Sequence, residues 1–275
     1  MGAFDAFRYD GKRALVVGGA TGMGAATAEL VLDAGADVTV MDFADVTLEG
    51  VKAVHINLSD RSSIDEAVAA IDAPVDALFA CAGVADGTPG LERINFIGHR
   101  YMIDQMLERG LLPAGSAIGM ISSAAGLGWE ANLETLKELL AISDWDDAVA
   151  WVEANGKADY MSMKQAMCAY VASEAFSLLE QGVRINAICP GPTDTPLAQA
   201  NAETWLGFGS DFREDLGIEA STPMEQAMPL VYLCSAAAGA ISGQTVISDA
   251  GYISAGITNA YPNAAAAAGF LLGRF

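Results

Sequence analysis

The stretch VVGGATGMGAATAELVLDAGADV, residues 16–38, decides the fold. A short apolar run ends at Gly18, glycine recurs at Gly22 and Gly24, and a helical pattern follows before a second apolar run starts at Ala36. Set between a strand and a helix, the glycines allow a tight turn and let the backbone come close to a ligand. The first amides of the helix and its dipole then face that ligand, and a pyrophosphate suits that positive end. Spacing alone says little in a chain with 29 glycines, so the weight lies on context: the turn opens an alternating chain, as the mechanism requires.

Outward from this turn the alternation continues. The runs RALVVG, ADVTVMD, KAVHIN, VDALFACAG, SAIGMISS, GVRINAICP and QTVISDAG are separated by helical patterns. They are apolar throughout rather than alternating, which fits strands covered on both faces by helices. The expected fold class is α/β: a single Rossmann-type, doubly wound domain over residues 1–275, with a seven-stranded parallel sheet. No linker rich in Pro, Gly or Ser divides the chain. Two embellishments stand out, an insertion over 127–158 and a C-terminal tail over 252–275.

Composition narrows the chemistry. With 35 acidic residues against 14 basic, the formal charge of −21 repels phosphate backbones and anionic lipid, so nucleic acid and membrane are not expected partners. Cys81, Cys168, Cys189 and Cys234 form no paired ligand motif and sit in apolar runs, as reduced cytoplasmic thiols do. The N-terminal MGAFDAFRYDGKR lacks an apolar signal core, so a soluble, cytoplasmic protein is expected. His55 and His99 have no neighbouring ligand residues, so neither a metal site nor a histidine-based triad is expected.

Two further features carry chemistry. Asp42 closes the second strand, where a carboxylate accepts hydrogen bonds from an adenosine ribose and repels a 2′-phosphate, favouring NAD. In DYMSMKQ, residues 159–165, Tyr160 and Lys164 stand four apart and share a helix face. An unperturbed tyrosine, pKa about 10, is a poor base near neutrality. A neighbouring ammonium favours the phenolate, and together with an oxidised nicotinamide it is expected to lower the phenol and make the pair usable in acid–base work.

With these motifs in order, from about residue 10 to 251, the chain resembles the short-chain dehydrogenase/reductase family. The resemblance implies that Gly18, Thr21, Gly22, Met23 and Gly24 hold the dinucleotide, that Asn57 and Leu58 lie by the adenine, and that ACAG at 80–83 places Ala82 and Gly83 as a cofactor wall. Here Ala80 and Cys81 replace the family's two asparagines, and Val17 stands where threonine is usual. Tyr160 and Lys164 also contact the cofactor by this resemblance, with Pro190, Gly191, Thr193 and Thr195 near the carboxamide and Ile188 beside the ring. It further implies a catalytic set of Asn95, Ser123, Tyr160 and Lys164. Tyr160 is the acid or base, Ser123 orients the substrate oxygen, Lys164 holds the ribose and Asn95 keeps a water in a proton relay. Hydride moves between substrate carbon and nicotinamide, so NAD is the implied cofactor.

Ser123 and Tyr160 lie 37 residues apart, more than the family usually allows. The interval reads as two short amphipathic helices, the first capped at Asn132, the second near Ser143 or Asp144 and ended by Asn155 and Gly156. This insertion and the ACAG motif resemble the bacterial 3α-hydroxysteroid dehydrogenase/carbonyl reductase subgroup. Trp129, Trp145 and Trp151 serve mainly helical packing and otherwise a substrate cleft. Residues 196–222 read as a lid with Leu197, Trp205, Leu206, Phe208 and Phe212 on its apolar underside, so a bulky hydrophobic small-molecule substrate is expected: a steroid, terpenoid or aromatic secondary alcohol or ketone. The insertion precedes a helix through which family members pair, so a homo-oligomer is expected, dimer ahead of tetramer. The alternatives are a non-catalytic dinucleotide-binding protein and a short-chain epimerase or dehydratase, the latter disfavoured by the little chain after 251.

Overall fold

The computed structural model describes residues 2 and 4–273. Seven strands form one parallel sheet: β1 (Arg13–Val17), β2 (Asp37–Asp42), β3 (Lys52–His55), β4 (Ala77–Ala80), β5 (Ala117–Ile121), β6 (Arg184–Pro190) and β7 (Thr245–Ser248). The spatial order is β3-β2-β1-β4-β5-β6-β7. Every residue of β4 and β5 is buried, as strands covered on both faces require, whereas the edge strands β3 and β7 are largely solvent-facing. Strand order reverses between β1 and β4, and the crevice beyond their carboxyl ends is where an open α/β sheet receives a ligand.

Helices α1 (Gly22–Asp33), α2 (Arg61–Ala69) and α3 (Gly98–Glu108) follow the first, third and fourth strands. The insertion forms α4 (Leu133–Leu140) and α5 (Trp145–Ala154), after which α6 (Tyr160–Glu180) leads into β6. Beyond β6 come α7 (Pro196–Ala200), α8 (Ala202–Trp205), α9 (Ser210–Leu216) and α10 (Pro223–Cys234); the tail carries α11 (Tyr252–Ile257) and α12 (Ala265–Leu272). One apolar layer, with Phe96, Met102, Met106 and Met167, lies between the sheet and the α3/α6 side, and a second, with Val16, Val31, Phe79 and Leu230, lies on the α1/α10 side. Among the described residues no helix is long and apolar enough to cross a membrane.

The glycine turn is tight for a steric reason. Gly18 has φ of +84°, and a Cβ there would sit 2.4 Å from the backbone of Ala82; a Cβ on Gly24 would sit 1.9 Å from the Gly18 carbonyl oxygen. Only glycine lets β1 turn into α1 this close to the chain leaving β4.

The insertion packs on α6 and on the turn before α3. Asp144 caps α5, accepting from the amides of Asp146 and Asp147 at 2.9 and 3.0 Å. Asn132 differs from expectation: it precedes α4, but its side chain donates to Gln165 Oε1 at 2.9 Å and leaves the helix end uncapped. The other end of α4 is held by the buried Arg100 on α3, whose guanidinium donates to the carbonyls of Leu139 and Ile142, a cation placed at the negative end of a helix. Trp145 is buried edge-on against Tyr101, and Trp129 and Trp151 pack against the cores, so none of the three lines the cleft described next.

Candidate active site

Two cavities lie side by side across the carboxyl ends of the strands. The first, about 430 Å³, is lined by Gly18, Thr21, Gly22, Met23 and Gly24, by Asp42, Asn57 and Leu58, and by Ala82, Gly83 and Thr195. The second, about 470 Å³, is lined by Ser123, Tyr160 and Lys164, and by Pro190, Gly191, Thr193 and Thr195. They meet at Met23, Cys81, Gly83, Thr195 and Leu197. Every residue expected near a cofactor therefore lines one of the two spaces, except Ile188, which is wholly buried in the sheet core and faces neither.

The glycine-lined cavity has the features a dinucleotide needs: a backbone cradle that a Cβ at Gly18 would fill, and the first turn of α1 opening on it. Asp42 stands at its edge with its carboxylate already in use. Oδ2 accepts from the amide of Ala20 at 2.8 Å and Oδ1 from that of Ala44 at 2.9 Å, so it ties the glycine turn to the end of β2. Asn57 turns its Oδ1 to the amide and hydroxyl of Ser59, at 3.0 and 2.7 Å. Thr195 caps α7, accepting from Ala198 N at 3.1 Å, which leaves its hydroxyl proton free to donate.

In the second cavity, Ser123 sits just after β5 and Tyr160 on the first turn of α6, both on its wall. Two hydroxyls so placed can hold one substrate oxygen between them. Lys164, one turn on, is 3% exposed; its ammonium donates to the Ile121 carbonyl at 2.8 Å and lies 5.6 Å from the centre of the Tyr160 ring. A Cβ at Gly83 would be 3.4 Å from both Lys164 Nζ and Asn95 Oδ1, so all three converge behind the point where the cavities meet.

Asn95 lies there without lining either cavity. It is fully buried in a π-turn, Arg93–Ile97, and both ends of its amide are taken: Oδ1 accepts from Val84 N at 2.8 Å and Nδ2 donates to Val84 O at 2.9 Å. Its side chain thus locks the wall segment. His99 contributes to the same wall, a part composition did not suggest: its Nε2 meets the Ala82 carbonyl at 3.0 Å, and burial holds the ring down to about 4 and so neutral.

Without a bound cofactor, burial sets the electrostatics of the pair. In the chain alone burial dominates Tyr160 and pushes it up to about 12, the neighbouring Ser123 hydroxyl opposes this, and the charge of Asp86 adds to it. The 5.6 Å between the ammonium and the ring, in a site burying both groups, gives the lysine too little hold to reverse the desolvation. Lys164 is itself lowered by burial to about 8.

Further residues belong to the site. Trp205, from α8, lies 4.9 Å from the Tyr160 ring, centre to centre, and with Leu197 and Phe208 closes the cavity from the lid side. From the tail, Ala267, Phe270 and Leu271 line the far wall. Phe212 is buried between Tyr252 and Tyr261, at 5.4 and 5.2 Å, so it anchors α9 to the tail and does not face the cavity. Arg213 holds the lid turn through the carbonyls of Phe208 and Leu206. Residues 274 and 275 of the predicted tail lie outside the described residues.

The lowered Lys164 makes a stability prediction with a definite sign. Between about 8 and its ordinary value of 10.5 the unfolded chain holds the proton more tightly, so the folded state gains stability as pH rises through that window. Lys164→Met should therefore raise the melting temperature of the ligand-free protein near neutrality, and the gain should shrink as pH climbs through the window. A difference constant with pH, read by circular dichroism, would contradict this.

Known proteins are similar to this chain in sequence and fold. The family model described as Enoyl-(Acyl carrier protein) reductase matches residues 18–253. A coniferyl-alcohol dehydrogenase from Pseudomonas sp. (strain HR199 / DSM 7063) is 31% identical over 194 residues, covering 68% of this chain and 74% of its own. The 3-alpha-hydroxysteroid dehydrogenase/carbonyl reductase of Comamonas testosteroni is 30% identical over 251 residues, 86% of this chain and 95% of that one. The crystal structure of the 3-alpha-hydroxysteroid dehydrogenase from Pseudomonas sp. B-0831 complexed with NADH superposes with a TM-score of 0.73 at 26% identity, over 90% of this chain and 99% of the other. A match of this extent to the family model, joined to a seven-stranded sheet of the same kind, means that the chain belongs to the short-chain dehydrogenase/reductase family of nicotinamide-dependent oxidoreductases.

Proposed function

We propose that the protein is an NAD-dependent dehydrogenase or ketone reductase acting on a hydrophobic secondary alcohol or ketone of the steroid, terpenoid or aromatic kind. The observation that carries this reading is the junction of the two cavities, with Ser123, Tyr160 and Lys164 on one wall of an apolar space that opens beside the glycine cradle. When bound, the nicotinamide supplies the hydride acceptor or donor. Tyr160 passes the proton to or from the substrate oxygen, and Ser123 orients that oxygen. Lys164 holds the ribose and feeds the proton path, and its ammonium favours the phenolate once substrate and cofactor have replaced water. Asn95 acts through Val84, keeping the wall in place. A non-catalytic dinucleotide-binding protein would have no use for an ammonium buried beside a phenol, a costly placement.

The substrate class rests on the rest of the lining. Leu197, Trp205, Phe208, Phe270 and Leu271 supply apolar surface, and Lys164 is the single cationic residue on the cavity wall among the described residues. Asp86 and Asp159 lie on the same wall, so a charged phosphate or carboxylate finds repulsion rather than a partner. The names of the relatives, coniferyl alcohol and a hydroxysteroid, point to the same hydrophobic class, the second of them to a secondary alcohol. On this reading kcat/KM rises from small alcohols to multi-ring ones, roughly fourfold for each further CH₂ buried at about 0.8 kcal/mol. With the best substrate Tyr160→Phe lowers kcat by about 10² to 10⁴ and leaves the cofactor KM nearly unchanged. A flat series, or a fully active Tyr160→Phe, would contradict it.

For the cofactor, a 2′-phosphate would meet the Asp42 carboxylate, while a free ribose meets its remaining lone pairs. NAD should give the higher kcat/KM. Because Asp42 also holds Ala20, Asp42→Asn is the informative variant: it keeps an acceptor, removes the charge, and should narrow the preference. Equal kcat/KM with NADP in the unaltered protein would overturn this assignment.

The same reading extends to assembly. With α4 packed on part of α6, a face at the β7 edge of the sheet, where Met228, Tyr232, Val246 and Ile247 are exposed, is available for pairing. A homo-oligomer is proposed, dimer ahead of tetramer, which light scattering distinguishes.

A further inference from the structure

We propose that Asp86 is a positioning residue that pins the catalytic helix to the cofactor wall. The inference rests on the reading of Tyr160 as the acid or base. Asp86 follows the ACAG motif by three residues, and Gly87, with φ of +86°, turns the chain away directly after it. Its Oδ1 accepts from the main-chain amide of Tyr160 at 2.7 Å, across 74 residues of sequence. That amide opens a helix of 21 residues, and the cap residue cannot serve it: Asp159 spends Oδ1 on Ser162 N and Oδ2 on Ser162 Oγ, at 2.8 and 2.7 Å. Two carboxylates at the positive end of the helix are both favourable, but only Asp86 comes from another element.

The contact completes a set. The segment after β4 lacks the two asparagines of the family motif, yet three side chains hold it: His99 at the Ala82 carbonyl, Asn95 at both main-chain groups of Val84, and Asp86 at the Tyr160 amide. The first two fix the wall to α3 and its preceding turn, and the third fixes Tyr160 to the wall. A shift of Tyr160 relative to the nicotinamide is thereby resisted at the residue that carries the phenol.

The carboxylate also bears on the phenol as a charge. The groups facing Tyr160 are Ser123 after β5, Cys189 on β6, Asp86 itself, and Lys164 and Asp159 from its own helix and cap; the lid contributes the neutral Thr204 and Trp205, with Glu203 exposed, and the tail Ala267 and Phe270. Asp86 is the acidic group among them that opposes ionisation of Tyr160 directly. Asp86→Asn keeps an acceptor for the amide and removes the charge; Asp86→Ala removes both.

Three readings test this. In alcohol oxidation Asp86→Asn should hold the plateau kcat and move the acid limb, where Tyr160 takes up its proton, to lower pH by about 0.5 of a unit, the direction expected when a nearby negative charge is lost. Asp86→Ala should lower the plateau roughly 10- to 100-fold through misplacement, with Asp86→Asn as the rescue. Hydrogen exchange of the peptide spanning 159–163, which needs no activity, should speed up in Asp86→Ala and not in Asp86→Asn. Unchanged exchange in Asp86→Ala, or an unmoved pH profile in Asp86→Asn, would overturn the role. If exchange responds as expected while Tyr160→Phe stays fully active, the strut stands and the reading of Tyr160 falls.

Discussion

The approach of the backbone at Gly18 to that at Ala82 is the constraint on which the site depends. The strand order reverses between β1 and β4, and a Cβ at Gly18 would overlap the Ala82 backbone at 2.4 Å. Because the chain leaving β4 runs so close to the glycine turn, Gly83 falls at the junction of the two cavities, with Lys164 and Asn95 converging behind it. A side chain at Gly18 would push the wall away from the turn and separate the space for a dinucleotide from the space for its reaction partner. Close packing at a switch point is thus a functional requirement and not only a packing detail.

Desolvation is the second organising effect, and it acts in opposite directions on the two titratable groups. Burial keeps Tyr160 protonated and makes Lys164 a weaker base, so the resting pair is biased toward the neutral forms. The cost is carried by the fold: the ammonium has the Ile121 carbonyl as a partner, and the helix bearing both residues is tethered by Asp86 and Asp159. A positive charge arriving on the ring of a bound oxidised nicotinamide would tilt the balance back toward the phenolate. The lid adds exclusion of water, since Trp205 lies tilted against Tyr160 and α9 is fastened to the tail through Phe212. Lid and tail are therefore coupled through one aromatic cluster, which makes the far wall of the cavity a joint product of two chain segments.

Much of this was legible in the sequence, for physical reasons. Strands buried on both faces read as unbroken apolar runs, and the solvent-facing edge strands β3 and β7 also lie where the sequence has such runs, so all seven appear where expected. Glycines needed for a positive φ or a close approach are visible because nothing else serves there. Long-range hydrogen bonding was not legible. Asn132 stands at a helix start, but its partner is Gln165, a residue no local pattern pairs with it. Asn95 could be placed by its motif, yet its two hydrogen bonds to Val84 depend on a π-turn that the sequence does not announce. Asp86 and His99 were invisible as site residues because their partners are main-chain groups 74 and 17 positions away. The tryptophans of the insertion pack inward because its short helices need buried anchors, while Trp205 of the lid takes the place by Tyr160.

The central claim is direct hydride transfer at the junction of the two cavities. It is tested most directly with a multi-ring secondary alcohol deuterated at the carbinol carbon, incubated with NAD and the protein. The account predicts that deuterium appears on the nicotinamide ring of the reduced cofactor and that kcat falls with a primary isotope effect when chemistry limits turnover. Reduced cofactor carrying no deuterium, or label lost to solvent from unoxidised alcohol, would contradict it.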